Sequence, residues 1–257
     1  MKTLHLIDLG DVENQQLNEL ISLASDMYEY PQNYTDCCRG QVMATAFYEP
    51  STRTQLSFQT AMLRLGGQVV GFSDPSSSSV AKGESLKDTV AIMSGYTDIF
   101  VMRNALEGAA KAASMYAQCP VVNAGDGGHL HPTQTLTDLF TISREIGRLD
   151  HLTIGICGDL KFGRAVHSLV KTLATYPGIH FVFISTPQLM LPASFLELIT
   201  ENGGSYSEVN SIEEAIAPLD ILYMTRIQRE RFASREDYVA QKGIYVLDRK
   251  KMKRAKP

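Results

Sequence analysis

Apolar residues fall along this chain in two kinds of segment. The runs QVMATAF (41–47), GQVVGF (67–72), TDIFVM (97–102) and PVVN (120–123) are short and dense in apolar side chains. Longer stretches between them repeat apolar residues at three- and four-residue spacing, the period of one helix face. This alternation predicts parallel strands covered by helices. A second series opens at LTIGICG (152–158) and continues through HFVFIS (180–185), DILYM (220–224) and GIYVL (243–247). Between the two series, Thr133 to about Arg144 reads as an amphipathic helix. At about 100–200 residues per domain, a chain of 257 residues accommodates both series. The expected fold is α/β with two domains, each a mainly parallel sheet flanked by helices. The expected boundaries are 1–132 for the first domain, 133–149 for a linking helix and 150–257 for the second.

Local punctuation supports the helices. Ser85 and Ser211 each stand three residues before a carboxylate, Asp88 and Glu214, in the pattern of a capping box. Gly66, Gly95, Gly147 and Gly203 fall where helices are expected to stop. The serine run Ser76–Ser79, between Pro75 and Lys82-Gly83, reads as a mobile loop.

Composition narrows the function. With 44% hydrophobic and 20% charged residues the chain has the make-up of a soluble globular protein. No apolar run approaches the roughly 18 residues of a membrane span, and the N-terminus lacks a signal-peptide pattern. A net charge of -4 argues against a general affinity for nucleic acid. The last ten residues, DRKKMKRAKP, hold six Lys or Arg against one Asp and read as a solvated end. Cys37 and Cys38 are adjacent and Cys119 and Cys157 isolated, which fits neither a disulfide framework nor metal-ligand spacing. Reduced thiols, a cytoplasmic location, and no metal or other cofactor are the expectation.

The stretch FYEPSTRTQLSFQTAM (47–62) carries the strongest chemical signal. A buried strand ends in a Glu-Pro turn, and a helix begins among Ser51, Thr52 and Thr54. Free amides and the macrodipole at a helix N-terminus attract anions, and Arg53 adds a guanidinium fork suited to phosphate oxygens. An ordinary N-cap beside a surface arginine has the same pattern. Likewise, His131 alone reads more readily as a hydrogen-bonded structural histidine, and Arg226 as a surface charge, than as site residues. The glycines of Gly155–Gly163 lack the GxGxxG spacing of a dinucleotide loop.

Pro50-Ser51-Thr52-Arg53-Thr54 resembles the carbamoyl phosphate signature of aspartate and ornithine carbamoyltransferases. Further segments match in order along nearly the whole chain. Ser79-Val80-Ala81-Lys82-Gly83-Glu84-Ser85 is similar to the family's mobile loop, and Val101-Met102-Arg103 to its strand-end arginine. Asn123-Ala124-Gly125-Asp126-Gly127 and His131-Pro132-Thr133-Gln134 resemble the segment that holds the carbamoyl group. Gly158-Asp159-Leu160-Lys161-Phe162-Gly163-Arg164 and Tyr223-Met224-Thr225-Arg226-Ile227-Gln228 resemble the aspartate-specific pair, which identifies the chain as similar to aspartate carbamoyltransferase catalytic chains.

The resemblance implies transfer of the carbamoyl group of carbamoyl phosphate to the amine of L-aspartate, a step of pyrimidine synthesis. The first domain would bind carbamoyl phosphate and the second aspartate. Ser51, Thr52, Arg53, Thr54 and Arg103 would bind phosphate, His131 and Gln134 the carbamoyl group, and Arg164, Arg226 and Gln228 the aspartate carboxylates. Arg53, Thr54, Lys82, Arg103 and His131 would form the catalytic set. In the family the serine-lysine loop reaches into a neighbouring subunit's site, so Ser79 and Lys82 imply a homotrimer with shared active sites, to which regulatory chains can be added. Two small, strongly anionic substrates demand several cations, and Arg53, Lys82, Arg103, Arg164 and Arg226 supply them. No cysteine, serine or lysine has an evident activating base, which favours direct transfer without a covalent intermediate.

Two departures from the family pattern stand out. Relatives are expected to continue past Pro257 with a His-Pro-Leu/Met-Pro-Arg loop and helices that return to the first domain, so the chain reads as lacking the family's C-terminal segment. Asn104 stands where a histidine is usual. Ornithine carbamoyltransferase is the nearest rival, but Arg164 and Arg226 suit a dianionic acceptor better than a cationic one. A catalytically silent relative that binds a partner is the alternative from another class.

Overall fold

The computed structural model of the protein describes residues 4–227, 232 and 234–256. The chain forms two compact units, Met1–Phe140 and Thr141–Pro257. The division falls inside the helix α5 (Pro132–Ile146).

In the first unit, α1 (Asn14–Glu29) precedes β1 (Val42–Phe47), α2 (Thr52–Arg64) and β2 (Gln68–Phe72). Then follow α3 (Leu86–Tyr96), β3 (Ile99–Asn104), α4 (Ala109–Ser114) and β4 (Val121–Asp126). The sheet order is β2-β1-β3-β4 and every pairing is parallel. β1 and β3 are buried along nearly their whole length, as continuous apolar strands covered on both faces must be. Alternate side chains serve the two faces. Ala44, Ala46, Phe100 and Met102 pack with Val90 of α3 and Ala109, Ala110 and Ala113 of α4. Met43, Phe47 and Val101 pack with Met62 and Phe58 of α2. The outer edge of β4 is closed by Leu6, whose backbone exchanges bonds of 2.8 and 2.9 Å with Val121 and Asn123. β2 can lie against β1 at Gly71 only because that residue has no side chain: φ is +140°, and a Cβ would stand 2.0 Å from the Thr45 carbonyl.

The second unit repeats the plan with β5 (Thr153–Cys157), α6 (Arg164–Leu173), β6 (His180–Ile184), α7 (Ala193–Glu201), β7 (Ser205–Val209), α8 (Ile212–Ala215) and β8 (Ile221–Met224). Its sheet order is β7-β6-β5-β8, again parallel. The helices α9 (Arg235–Gln241) and α10 (Arg249–Met252) follow.

Several expectations need correction. GIYVL (243–247) forms no strand: it is unpaired chain, with Tyr245 packed on the β6 and α8 cluster and its hydroxyl donating to the Asn210 carbonyl at 3.2 Å. The fourth strand of that sheet is β7, whose half-exposed edge position suits the polar sequence SYSEV and leaves no apolar run to detect. Gly95 lies within α3, which runs on to Tyr96, whereas Gly66, Gly147 and Gly203 follow helix ends at positive φ. Ser85 caps α3, its hydroxyl oxygen accepting from Asp88 N at 3.2 Å. Ser211 instead donates to the Glu214 carboxylate at 2.5 Å and does not cap the α8 backbone. The serine run folds into two 3-10 turns, Pro75–Ser77 and Ser79–Lys82.

Candidate active site

Parallel sheets present ligand sites at the carboxyl ends of their strands, and the first unit gathers its chemistry there. β1 ends at Phe47, the chain turns through Glu49-Pro50, and Ser51 becomes the N-cap of α2. Its hydroxyl makes no bond to the helix backbone and donates to Thr54 Oγ1 at 2.9 Å, so the first-turn amides of α2 keep their character as an anion seat. A cleft of about 460 Å³ opens beside this turn, with Arg53, Thr54, Ser57, His131, Thr133 and Gln134 on its wall. Four predicted site residues from two distant segments therefore meet in one cavity.

Arg103, the last residue but one of β3, lies beside Phe47 of β1 and is only 7% exposed. A buried guanidinium requires paired charge and hydrogen bonds. Glu49 supplies the charge at 3.2 Å from Nε, and Nη1 donates to the Ala124 carbonyl at 3.5 Å. The Tyr48 amide donates to the Arg103 carbonyl at 2.8 Å, locking the ends of β1 and β3 together. Glu49 is a site residue not expected from the sequence, although its place directly before Pro50-Ser51-Thr52-Arg53-Thr54 is a signal for it. Asn104, the departure noted in the sequence, is buried and accepts from Leu106 N at 2.9 Å, so it shapes the turn after β3.

The segment that presents His131 is organised by Asp126, at the end of β4 and 2% exposed. Its Oδ2 accepts from Gly108 N at 2.9 Å, while Oδ1 accepts from Leu130 N at 3.1 Å and Asn123 Nδ2 at 3.2 Å. His129 Nδ1 lies 3.3 Å from Oδ2. One carboxylate thus ties the loop after β3 to the turn that leads into α5. His131 stands just before that helix, with Nδ1 3.4 Å from both Thr133 Oγ1 and Gln134 N. Gln134 Nε2 donates to Asp138 at 2.9 Å. Ser79 and Lys82 are exposed in their 3-10 turn, against α3.

In the second unit β5 and β8 are neighbours, and both predicted carboxylate-binding arginines leave their carboxyl ends. Arg164 opens α6 and Arg226 follows β8 by two residues. The loop that carries Arg164 is held from within: Asp159 accepts from Phe162 N at 3.0 Å, and buried His167 Nε2 donates to the Leu160 carbonyl at 2.9 Å. His167 also stacks on Phe195, with ring centroids 4.6 Å apart. Gln228 lies outside the described residues.

A parallel α/β unit with an anion-seating helix start, followed by a second with paired arginines, defines a class, and comparison with known proteins agrees. Residues 4–144 match the model of the aspartate/ornithine carbamoyltransferase carbamoyl-P binding domain, and residues 150–257 match that of the Asp/Orn binding domain. The chain belongs to the aspartate/ornithine carbamoyltransferase family. Within it, the chain is 55% identical to the aspartate carbamoyltransferase catalytic subunit of Clostridium perfringens over 257 residues, all of this chain and 84% of that one. The catalytic subunit of M. jannaschii aspartate transcarbamoylase superposes with a TM-score of 0.90 at 47% identity, over 98% of this chain and 82% of that one. Aspartate transcarbamoylase from Trypanosoma cruzi, solved with carbamoyl phosphate and aspartate, gives a TM-score of 0.90 at 35% identity, over 99% of this chain and 81% of that one.

Proposed function

We propose that this protein transfers the carbamoyl group of carbamoyl phosphate to the amine of L-aspartate, giving N-carbamoyl-L-aspartate and phosphate for pyrimidine synthesis. The observation that carries this reading is the convergence of Arg53, Thr54, His131 and Gln134 on one cleft at the start of α2. The acceptor is assigned from Arg164 and Arg226 on adjacent strand ends, two cations for two carboxylates, and from aspartate-specific relatives. A cationic acceptor such as ornithine has no counter-charge in such a pair.

In this reading residues 1–132 bind carbamoyl phosphate, 133–149 link, and 150–257 bind aspartate. The α2 amides with Ser51, Thr52, Arg53, Thr54 and Arg103 hold the phosphate, Gln134 holds the carbamoyl amide, and Arg164, Arg226 and Gln228 hold the carboxylates. Attack by the neutral amine builds negative charge on the carbonyl oxygen. Thr54, Arg103 and His131 donate to it, each such donor contributing about 2.7–4 kcal/mol. The leaving phosphate takes the amine proton, so no covalent enzyme intermediate is required. Holding both reactants in line contributes up to about 7–11 kcal/mol. Ser79 and Lys82 complete a neighbouring subunit's site in a cytoplasmic homotrimer, which regulatory chains can join.

Steady-state kinetics of Arg53→Ala and Arg164→Ala test the division of labour. The first is expected to lower kcat/KM for carbamoyl phosphate by a hundredfold or more, about 2.7 kcal/mol, and the second to act mainly on the aspartate KM. Wild-type constants in either variant refute the role given to that arginine.

A further inference from the structure

The two arginines assigned to aspartate sit on separate connections, Arg164 on the one after β5 and Arg226 on the one after β8. Something must fix their spacing beforehand if binding is not to be spent on ordering the loops. Within the second unit one side chain joins the two connections. Thr225 follows β8 and immediately precedes Arg226. Its Oγ1 donates to the Cys157 carbonyl at the end of β5 at 3.1 Å, and accepts from the Asp159 amide at 2.8 Å. The Thr225 amide donates to the same Cys157 carbonyl at 2.8 Å. Asp159 passes the constraint onward, because its carboxylate holds Phe162 N at 3.0 Å, two residues before Arg164.

Between these contacts lies Gly158, at φ +117°, where a Cβ would stand 2.5 Å from Thr225 Oγ1 and 2.6 Å from the Thr225 carbonyl. The two backbones touch there, and only glycine permits it. The contact is short and made of directional bonds, with Cys157, Gly158 and Asp159 buried and Thr225 half-buried. An orphaned Asp159 amide would find no solvent to replace its partner.

We infer that Thr225 is a positioning residue for the second substrate: its hydroxyl staples the Arg226 connection to the Arg164 loop and so presets the separation of the two carboxylate-binding cations. This rests on the reaction proposed above. Two features separate the role from general stability. Removing the hydroxyl leaves the Thr225 amide on the Cys157 carbonyl, so its loss frees the connections while β5 and β8 stay paired. It also belongs wholly to the second unit, so carbamoyl phosphate binding by the first should not sense it.

The test compares Thr225→Val, which keeps the shape and removes both hydroxyl bonds, with Thr225→Ser, which restores them. In Thr225→Val the aspartate KM is expected to rise about 5- to 100-fold, the range for a buried donor left without its acceptor. The carbamoyl phosphate KM and kcat at saturating aspartate should stay within about threefold, and Thr225→Ser should recover most of the aspartate affinity. Hydrogen exchange of the free protein provides an independent readout: Thr225→Val should speed exchange about tenfold across residues 158–164 and leave 42–47 unchanged. Unchanged exchange refutes the staple. Faster exchange with an unchanged aspartate KM, equal losses for both substrates, or a serine variant as impaired as valine refutes its role in positioning. A wild-type protein that carbamoylates no aspartate, yet shows the exchange effect, refutes the assigned reaction and this role with it while leaving the staple itself in place.

Discussion

Removing the Asp126 carboxylate should unfasten the His131 segment. In Asp126→Ala the amides of Gly108 and Leu130, held at 2.9 and 3.1 Å in the native protein, lose their acceptor, as does Asn123 Nδ2 at 3.2 Å. The site is 2% exposed, so water does not substitute without rearrangement. A buried donor stripped of its partner costs about 1–3 kcal/mol. Two orphaned main-chain amides give a destabilisation of about 2–6 kcal/mol, in the upper range of single substitutions. Asp126→Asn keeps one oxygen for two of the donors but turns an NH2 group toward the others, so its loss should fall between wild type and alanine. Native-state hydrogen exchange over β4 measures this within the first unit, independently of how the second unfolds. Turnover should drop at least tenfold in the alanine variant, because His131 and Gln134 lose the turn that presents them. If Asp126→Ala stays within about 1 kcal/mol of wild type and turns over normally, the carboxylate is not the organiser of this segment.

A Lys82→Ala protein mixed with an Arg53→Ala protein should regain part of the lost activity after subunit exchange, through hybrid sites assembled from intact halves. No recovery after exchange verified by mass spectrometry contradicts shared sites. Burial pushes the Cys157 thiol up from the ordinary 9.0 to about 12. The unfolded chain therefore releases this proton first, and stability should fall as pH rises from about 9 to 12, by about 4 kcal/mol from this group. Alkaline urea titrations of wild type and Cys157→Ala measure this contribution, and identical pH slopes for both proteins refute it.

The sheets were legible where burial on both faces writes itself as apolar runs, as in VMATAF and IFVMRN. β7 was not, because an edge strand needs only a few buried positions and its sequence SYSEV carries two serines and a glutamate. GIYVL misled in the opposite direction: its apolar residues cover the existing sheet as unpaired chain rather than extend it. At the site, the motif residues were visible because helix starts and strand ends require particular side chains. The residues that hold them were not. Glu49, Asp126 and Thr225 act through bonds to segments distant in sequence, with Glu49 reaching Arg103, Asp126 reaching Gly108 and Thr225 reaching Asp159. No local pattern records such pairings.

Product formation is the direct test of the reaction. Purified protein is given isotopically labelled carbamoyl phosphate with either L-aspartate or L-ornithine, and the carbamoylated amino acid is identified by mass spectrometry. Labelled N-carbamoyl-L-aspartate is the expected product, with no citrulline above the uncatalysed background. Citrulline as the main product would contradict the assignment of Arg164 and Arg226, and the absence of both products would contradict the proposed activity of the protein.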